Sequence, residues 1–501
     1  MEAKGTTSET LPEDLAKLKL GSDDKSRKSS GVGSEETKDA PEEESEVKEV
    51  SHLEEIKTPE SACDEKDVRV AVIGNVDSGK STLVGVLTRN VIDDGRGSAR
   101  SLVFNFAHEQ ANGRTSSIGQ EIMGFDDAGD QVIPERVTSN RNQTWSKVSG
   151  ASSRMVTFID LCGHEKYLKT TIFGLVGLLP DYAMILIGAN MGVTRMTKEH
   201  LGIALSLKVP IFIVITKVDL APENVYKKTL DTLTTILKKS AQRLPVTVRE
   251  EDTDIETFAE GIMSDRLCPI FSVSNVTGMG LPGLKKFLKL LKSRSNISGL
   301  YKSPSDPVEF LIDGVYMVQG VGIVAAGTVQ AGTVRNNQTL MLGPDKNGHF
   351  KNVSIRSIHY KRSPVEVAIA GQSVCFNIKL LAKKEHLKRT HFRKGMILVD
   401  KAVDPKAAWE FSCEVVILHH ATTIKENYQA VIHCGVIRQA AKVVEMSKET
   451  LRTGDKGLVR FRFMYYPEYL HEGMTVLFRE GRTKGLGAIS TIYHETKPSK
   501  Q

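Results

Sequence analysis

Eight residues, Gly74-Asn75-Val76-Asp77-Ser78-Gly79-Lys80-Ser81, have the types and spacing of a phosphate-binding loop, G-x-x-x-x-G-K-[ST]. Successive backbone N–H groups in such a loop converge on phosphate oxygens. Lys80 would reach the β and γ phosphates and the Ser81 hydroxyl would ligate Mg²⁺, with Thr82 completing the cradle. The apolar run 68–73 before the loop reads as a buried strand. Residues 82–87 after it open a helix whose positive dipole end faces the same phosphates.

Three further constellations stand downstream. Asp160-Leu161-Cys162-Gly163-His164 closes an apolar run at 156–159; Asp160 is placed to hold Mg²⁺ through water, and the Gly163 N–H to face a γ-phosphate. Thr216-Lys217-Val218-Asp219 closes the run 211–215. The Asp219 carboxylate can accept two N–H donors from the guanine edge, which adenine does not present. Ser274-Asn275-Val276 closes the run 269–273, where a backbone N–H can meet the guanine carbonyl. All four motifs end apolar runs, at the edge where α/β sheets bind ligands. Together they predict a site for GTP or GDP with Mg²⁺.

The elements that must position these residues follow from the same runs. Continuous apolar segments at 68–73, 156–159, 183–187, 211–215 and 269–273 suit parallel strands covered on both faces. Helical periodicity occupies 226–243 and 284–291. The expected fold is α/β: a P-loop GTPase domain over 67–300, wound on both faces of a parallel sheet. Residues 95–150 show no periodicity and read as one long functional connection. After Ser303-Pro304 the texture changes to short β-rich runs with Gly turns. That predicts two β-barrel domains, 301–402 and 403–501, with a linker near 402–406.

Composition narrows the classes. Hydrophobic content of 40% and charged content of 26% are those of a soluble globular chain. No apolar run reaches the roughly 18 residues that span a bilayer, and the N-terminus has no apolar signal core, so a cytoplasmic protein without membrane contact is expected. Six cysteines without a C-x-x-C pair indicate neither a disulfide framework nor a zinc knuckle. Net charge is unevenly divided. Residues 1–66 carry 10 Lys/Arg against 19 Asp/Glu, a net of −9, so the remainder carries +15. The first part reads as a disordered acidic tail; the basic remainder suits a polyanion, RNA first among them.

With these motifs in this order, the sequence over about 67–494 resembles the translational GTPases, of which elongation factor Tu is the best-known member. Besides the nucleotide motifs, Thr197-Lys198-Glu199-His200, Gly320-Val321-Gly322 and Arg479-Glu480-Gly481-Arg482 carry the resemblance. Gly113-Arg114-Thr115-Ser116-Ser117 and Leu178-Leu179-Pro180-Asp181-Tyr182 make it similar to the eukaryotic GTP-binding protein 1 and 2 group within that family. The resemblance implies that His164 orients the attacking water and that Asp77 helps hold a monovalent cation at the phosphates. It implies a monomer that hydrolyses GTP and, in its GTP form, binds aminoacyl-tRNA or another RNA at the ribosome. The role would be elongation support, rescue of stalled ribosomes or coupling to mRNA decay. The alternative is a GTP-gated adaptor for protein partners, with hydrolysis slow or incidental.

Several residues depart from the family pattern. Ser117 aligns with its Mg²⁺-binding threonine, but Thr115 and Ser116 are close enough to compete for that place. Ser116 replaces the isoleucine of an apolar gate whose other side is Val76. Thr216 replaces an asparagine, which removes an amide that bridges the loops. Basic residues matched to the RNA-gripping domains are Lys361-Arg362, Lys383-Lys384, Lys388-Arg389, Arg393-Lys394, Arg460, Arg462, Arg479, Arg482 and Lys484.

Overall fold

The protein is represented by a computed structural model that describes residues 66–494 apart from 134–140, 250–253, 265, 295–300, 382–387, 394 and 481–482. Of the expected acidic tail, 1–66, all but Lys66 lies outside the described residues. In the first part, the strands are β1 (Asp67–Gly74), β2 (Gly119–Phe125), β3 (Gln131–Val132), β4 (Arg154–Asp160), β5 (Tyr182–Gly188), β6 (Ile211–Thr216), β7 (Leu244–Val248) and β8 (Leu267–Ser272). The helices are α1 (Lys80–Arg89), α2 (Ser98–Ser101), α3 (Ala107–Asn112), α4 (Arg141–Ala151), α5 (Leu168–Gly177), α6 (Arg195–Ser206), α7 (Glu223–Ile236), α8 (Ile255–Gly261) and α9 (Leu281–Leu290).

The strands form one sheet in the order β3-β2-β4-β1-β5-β6-β8-β7. Every residue of β1 is buried. Val68, Val70 and Val72 enter the core on one face, Ala71 and Ile73 the core on the other. Two buried faces are why this strand reads as a continuous run rather than an alternation.

Four expectations about this part are corrected. The stretch 95–150 contains α2, α3, β2, β3 and α4 rather than a bare connection. β2 runs antiparallel to β4, Gly119 opposite Asp160 and Phe125 opposite Arg154, so the sheet is mixed. Its sequence, GQEIMGF, carries two glycines, and the strand is made by pairing with β4 rather than by local preference. The helix expected at 226–243 begins at Glu223, directly after Pro222, and continues past Ile236 into a π turn at Leu237–Ala241. The helix expected at 284–291 begins at Leu281, because proline is tolerated in a first turn where its missing N–H has no partner to lose.

Beyond Ser303 the chain is all β. β9 (Glu309–Val318), β10 (Gly322–Ala331), β11 (Thr333–Arg335), β12 (Thr339–Gly343), β13 (Lys351–Tyr360), β14 (Ser363–Val365), β15 (Val367–Ile369), β16 (Ser373–Leu380) and β17 (Ile397–Val399) come first. Their pairing order is β12-β17-β9-β10-β16-β13-β14, and a further β12–β13 pairing closes the ring. β18 (Glu410–His419), β19 (Gln429–Cys434), β20 (Ile437–Met446), β21 (Lys456–Phe463), β22 (Thr475–Glu480) and β23 (Thr483–Tyr493) make a second closed barrel. Each barrel has its own core, Phe310 against Phe376 in the first and Phe411 against Phe461 in the second.

The described residues belong to one compact unit. The N-terminal end of β1, opposite the phosphate loop, docks on the first barrel. Asp67 and Arg69 point the same way from the strand. Lys361 Nζ donates to Asp67 Oδ2 at 2.6 Å and to Thr157 Oγ1 at 2.6 Å, all three residues buried. Arg69 donates to Thr328 Oγ1 and to the Gly371 carbonyl of the first barrel. Lys361 and Arg362 sit at the tip of the β13–β14 hairpin with φ of 48° and 69°, the left-handed pair of a tight hairpin turn. The Arg362 guanidinium lies 4.7 Å from the Trp145 ring centre on α4.

This reassigns much of the basic surface expected to grip RNA. Lys361 is a buried interface cation. Arg393 pairs with Glu468 at 2.6 Å between the barrels, Arg460 and Arg462 both pair with Glu410 at 2.6 Å, and Arg479 lies 3.7 Å from Glu199 of α6. Of the others, Lys388 and Arg389 are exposed. Lys383, Lys384, Lys394 and Arg482, and the side chain of Lys484, lie outside the described residues.

Candidate functional site

The site lies at the C-terminal ends of β1, β4, β6 and β8. The turn after β1 needs backbone that L-residues rarely adopt: Asp77 has φ 60° and Gly79, which caps α1, has φ 81°. The loop is tied internally. Ser78 Oγ donates to the Asn75 carbonyl at 2.9 Å and Lys80 Nζ to the same carbonyl at 2.8 Å. Lys80 is buried; desolvation pulls its pKa down, and Asp160 opposes that shift. Val76 and Thr82 are half-buried beside it.

Thr216 corrects an expectation. It is fully buried, and its hydroxyl donates to the Ser78 carbonyl at 2.8 Å. The bridge between the β6 loop and the phosphate loop therefore persists through a hydroxyl in place of the amide. Gly163 meets the phosphate loop so closely that a Cβ there would fall 2.5 Å from Lys80 Nζ and 2.8 Å from the Asn75 carbonyl oxygen. No residue larger than glycine fits that contact without displacing the loop.

A hydroxyl-carboxylate cluster stands below the loop. Ser81 Oγ donates to Asp160 Oδ2 at 2.6 Å. Thr115 Oγ1 is 2.7 Å from Ser81 Oγ and 3.4 Å from Asp160 Oδ2. Burial pushes the Asp160 carboxyl up to about 6 despite the nearby Lys80. Its Oδ1 is buried and meets no donor among the described residues. An unpaired oxygen on a buried carboxylate flanked by two hydroxyls fits a hard divalent cation. Ser117, the expected hydroxyl from this loop, is turned away: it and Ser116 both donate to Glu109 Oε1, at 2.9 and 3.0 Å. Ser116 also lies 2.7 Å from His108 Nε2, so neither serine shares the Thr115 position.

His164 is exposed and folded back on its own loop, where Nδ1 accepts the Lys166 N–H at 3.0 Å. That bond leaves Nε2 to carry the proton of the neutral ring. Asp77 is exposed and lies 3.8 Å from Arg114 of the Thr115 loop. At the base end, Lys217 has φ 58° and Asp219 is exposed. Ser274 Oγ accepts from Val276 N at 3.3 Å and Thr277 N at 3.1 Å, and the Asn275 carbonyl accepts Asp93 N at 2.9 Å. Asn275 Oδ1 is buried without a donor among the described residues, as a base-facing group would be.

Sequence reasoning missed Glu109 and Asp93. Glu109 meets residues seven and eight positions on, across a loop without periodicity. Asp93 reaches Asn275 across most of the domain, and no local signal marks either one.

The phosphate loop, the Gly163 contact, the Ser81-Thr115-Asp160 cluster and the two barrels define a P-loop GTPase with a barrel pair. The family described as "Elongation factor Tu GTP binding domain" matches residues 65–298. GTP-binding protein 1 of Xenopus laevis is 48% identical over 431 residues, 86% of this chain and 64% of the relative. The chain thus spans just under two thirds of that relative. GTP-binding protein 2 of Mus musculus is 42% identical over 428 residues, 85% of this chain and 69% of the relative. The structure of the S. cerevisiae Ski7 GTPase-like domain, bound to GTP, is similar with a TM-score of 0.64, covering 85% of this chain and 97% of that one. At 13% identity that likeness speaks to the fold alone. The chain belongs to the translational GTPase superfamily, alongside GTP-binding proteins 1 and 2.

Proposed function

We propose that this protein binds GTP with Mg²⁺, hydrolyses it with His164 orienting the attacking water, and in its GTP form binds aminoacyl-tRNA or another RNA at the ribosome. It does so as a cytoplasmic monomer, in elongation support, ribosome rescue or coupling to mRNA decay. The observation that carries the reading is the position of α5. This helix follows the Gly163-His164 loop, and its Phe173 packs with Leu311, Ile397 and Val399 of the first barrel and Val436 and Tyr469 of the second. Whatever moves the loop at the γ-phosphate moves the junction on which both barrels rest.

In this reading Asn75 to Thr82 cradle the phosphates and Gly163 senses the third. Ser81, Thr115 and Asp160 would hold the metal, which when bound would supply positive charge for the outer phosphates. Asp77 adds a monovalent cation at the rim. Thr216, Lys217 and Asp219 take the base on one side, and Ser274, Asn275 and Val276 on the other.

Positioning dominates phosphoryl-transfer catalysis, and the Lys166 N–H bond to Nδ1 leaves Nε2 as the His164 atom that would meet the water. A second reading, the GTP-gated adaptor, is favoured by the number of cations already held at domain interfaces.

Replacing Asp219 with asparagine tests the base contact. Losing hydrogen bonds to a charged group costs about 1.5–3 kcal/mol, so GTP binding should weaken by roughly 10- to 100-fold. Xanthine nucleotides, which present a carbonyl at that position, should gain. Competition binding that leaves GTP preferred over XTP to the wild-type degree would refute the assignment.

A further inference from the structure

The run Thr115-Ser116-Ser117 offers three hydroxyls within reach of one metal, yet only one stands beside Ser81 and Asp160. What decides between them is a side chain outside the motif. Glu109, on α3, is almost wholly buried at 1% exposure. Its Oε1 accepts Ser116 N at 2.7 Å, Ser117 N at 3.0 Å, Ser116 Oγ at 3.0 Å and Ser117 Oγ at 2.9 Å. Its Oε2 accepts Asn105 N at 3.2 Å, which fixes the carboxylate from the other side. Two consecutive backbone N–H groups closing on one anion form a concavity that fixes the peptide planes as well as the side chains. With both serines turned to Glu109, the preceding hydroxyl is the one presented to the metal position.

We infer that Glu109 is a positioning residue that sets the register of this loop: by holding Ser116 and Ser117 it delivers Thr115 to the Mg²⁺. The inference rests on the proposed metal position at Ser81 and Asp160. It also joins the two loops that meet the γ-phosphate. Cys162 Sγ, one residue before Gly163, donates to the Ser117 carbonyl at 3.3 Å, so the carboxylate that orders one loop also orders the anchor of the other.

The test measures dissociation of a fluorescent GTP analogue and of fluorescent GDP from the full chain across a Mg²⁺ titration. Outer-shell partners of a metal ligand typically change metal affinity by about 10- to 100-fold when removed. Thr115→Ala should raise the Mg²⁺ concentration at half-maximal retention of the GTP analogue by about tenfold or more. Glu109→Ala should match it, and the double variant should be no worse than either single one, because both remove the same contact. Glu109→Gln, which keeps an acceptor for the amides, should fall between. Circular dichroism spectra and thermal denaturation midpoints close to wild type report that these variants fold. Ser81→Ala should shift both nucleotides; if it shifts neither, the metal position itself is wrong. If Ser81→Ala behaves as stated but Ser117→Ala, rather than Thr115→Ala, shifts the GTP-analogue midpoint, the metal position stands and the register assigned to Glu109 is overturned. Wild-type midpoints in both Thr115→Ala and Glu109→Ala overturn it as well.

Discussion

Lys361→Met is expected to destabilise the folded chain by about 3–5 kcal/mol, the usual cost of removing one partner from a buried ion pair. The substitution keeps the length of the side chain and removes the charge. Asp67 Oδ2 then loses its cation in a place where it is only 4% exposed, and Thr157 Oγ1, which bonds Asp67 Oδ1 at 2.5 Å, loses the Lys361 contact as well. The effect should show as a lower denaturation midpoint for the contact between β1 and the first barrel. The double variant Asp67→Asn/Lys361→Met should recover much of the loss, since replacing both charges removes the unpaired one. Equal denaturation midpoints for wild type and Lys361→Met would mean that this hairpin does not fasten the two bodies.

His164→Ala is expected to lower GTP turnover by about a hundredfold, on the scale that misplacing a reacting group typically costs. The side chain's hydrogen bond is to Lys166 N, in its own loop. Affinity for GTP should therefore stay within about twofold, the pattern of an interaction made only in the transition state. Turnover measured with ribosomes present, with nucleotide affinity in parallel, checks both halves. An unchanged rate would make His164 a helix cap and nothing more.

The parts of this protein visible in its sequence are those where one physical demand dominates. β1, β5 and β6 are buried on both faces, so they read as unbroken apolar runs. The phosphate loop reads because its glycines and lysine answer to backbone geometry and charge. β2 and β7 did not read, since pairing with β4 and β8 supplies what their own residues lack. Register within Thr115-Ser116-Ser117 was open for the same reason: three hydroxyls are equivalent until Glu109 binds two of them. The basic residues misled in a different way. Arg393 and Glu468 lie 75 positions apart, and Lys361 and Asp67 lie 294 apart, so a reading of local charge had no means of pairing them. Thr216 looked like the loss of a bridge because the motif compares side chains, whereas its hydroxyl reaches the Ser78 carbonyl directly.

The central claim is that nucleotide state gates RNA binding. It is tested most directly by the affinity of the full chain for aminoacylated tRNA with a non-hydrolysable GTP analogue and with GDP, from about 50 to 200 mM salt. The account predicts binding about tenfold or more tighter with the GTP analogue, within the usual range of coupling between sites. It also predicts a linear fall of log affinity with log salt, since phosphate contacts by lysine and arginine release counterions. Equal affinity with GDP and the GTP analogue, or binding that ignores salt, would contradict it and leave the protein-binding adaptor as the better description.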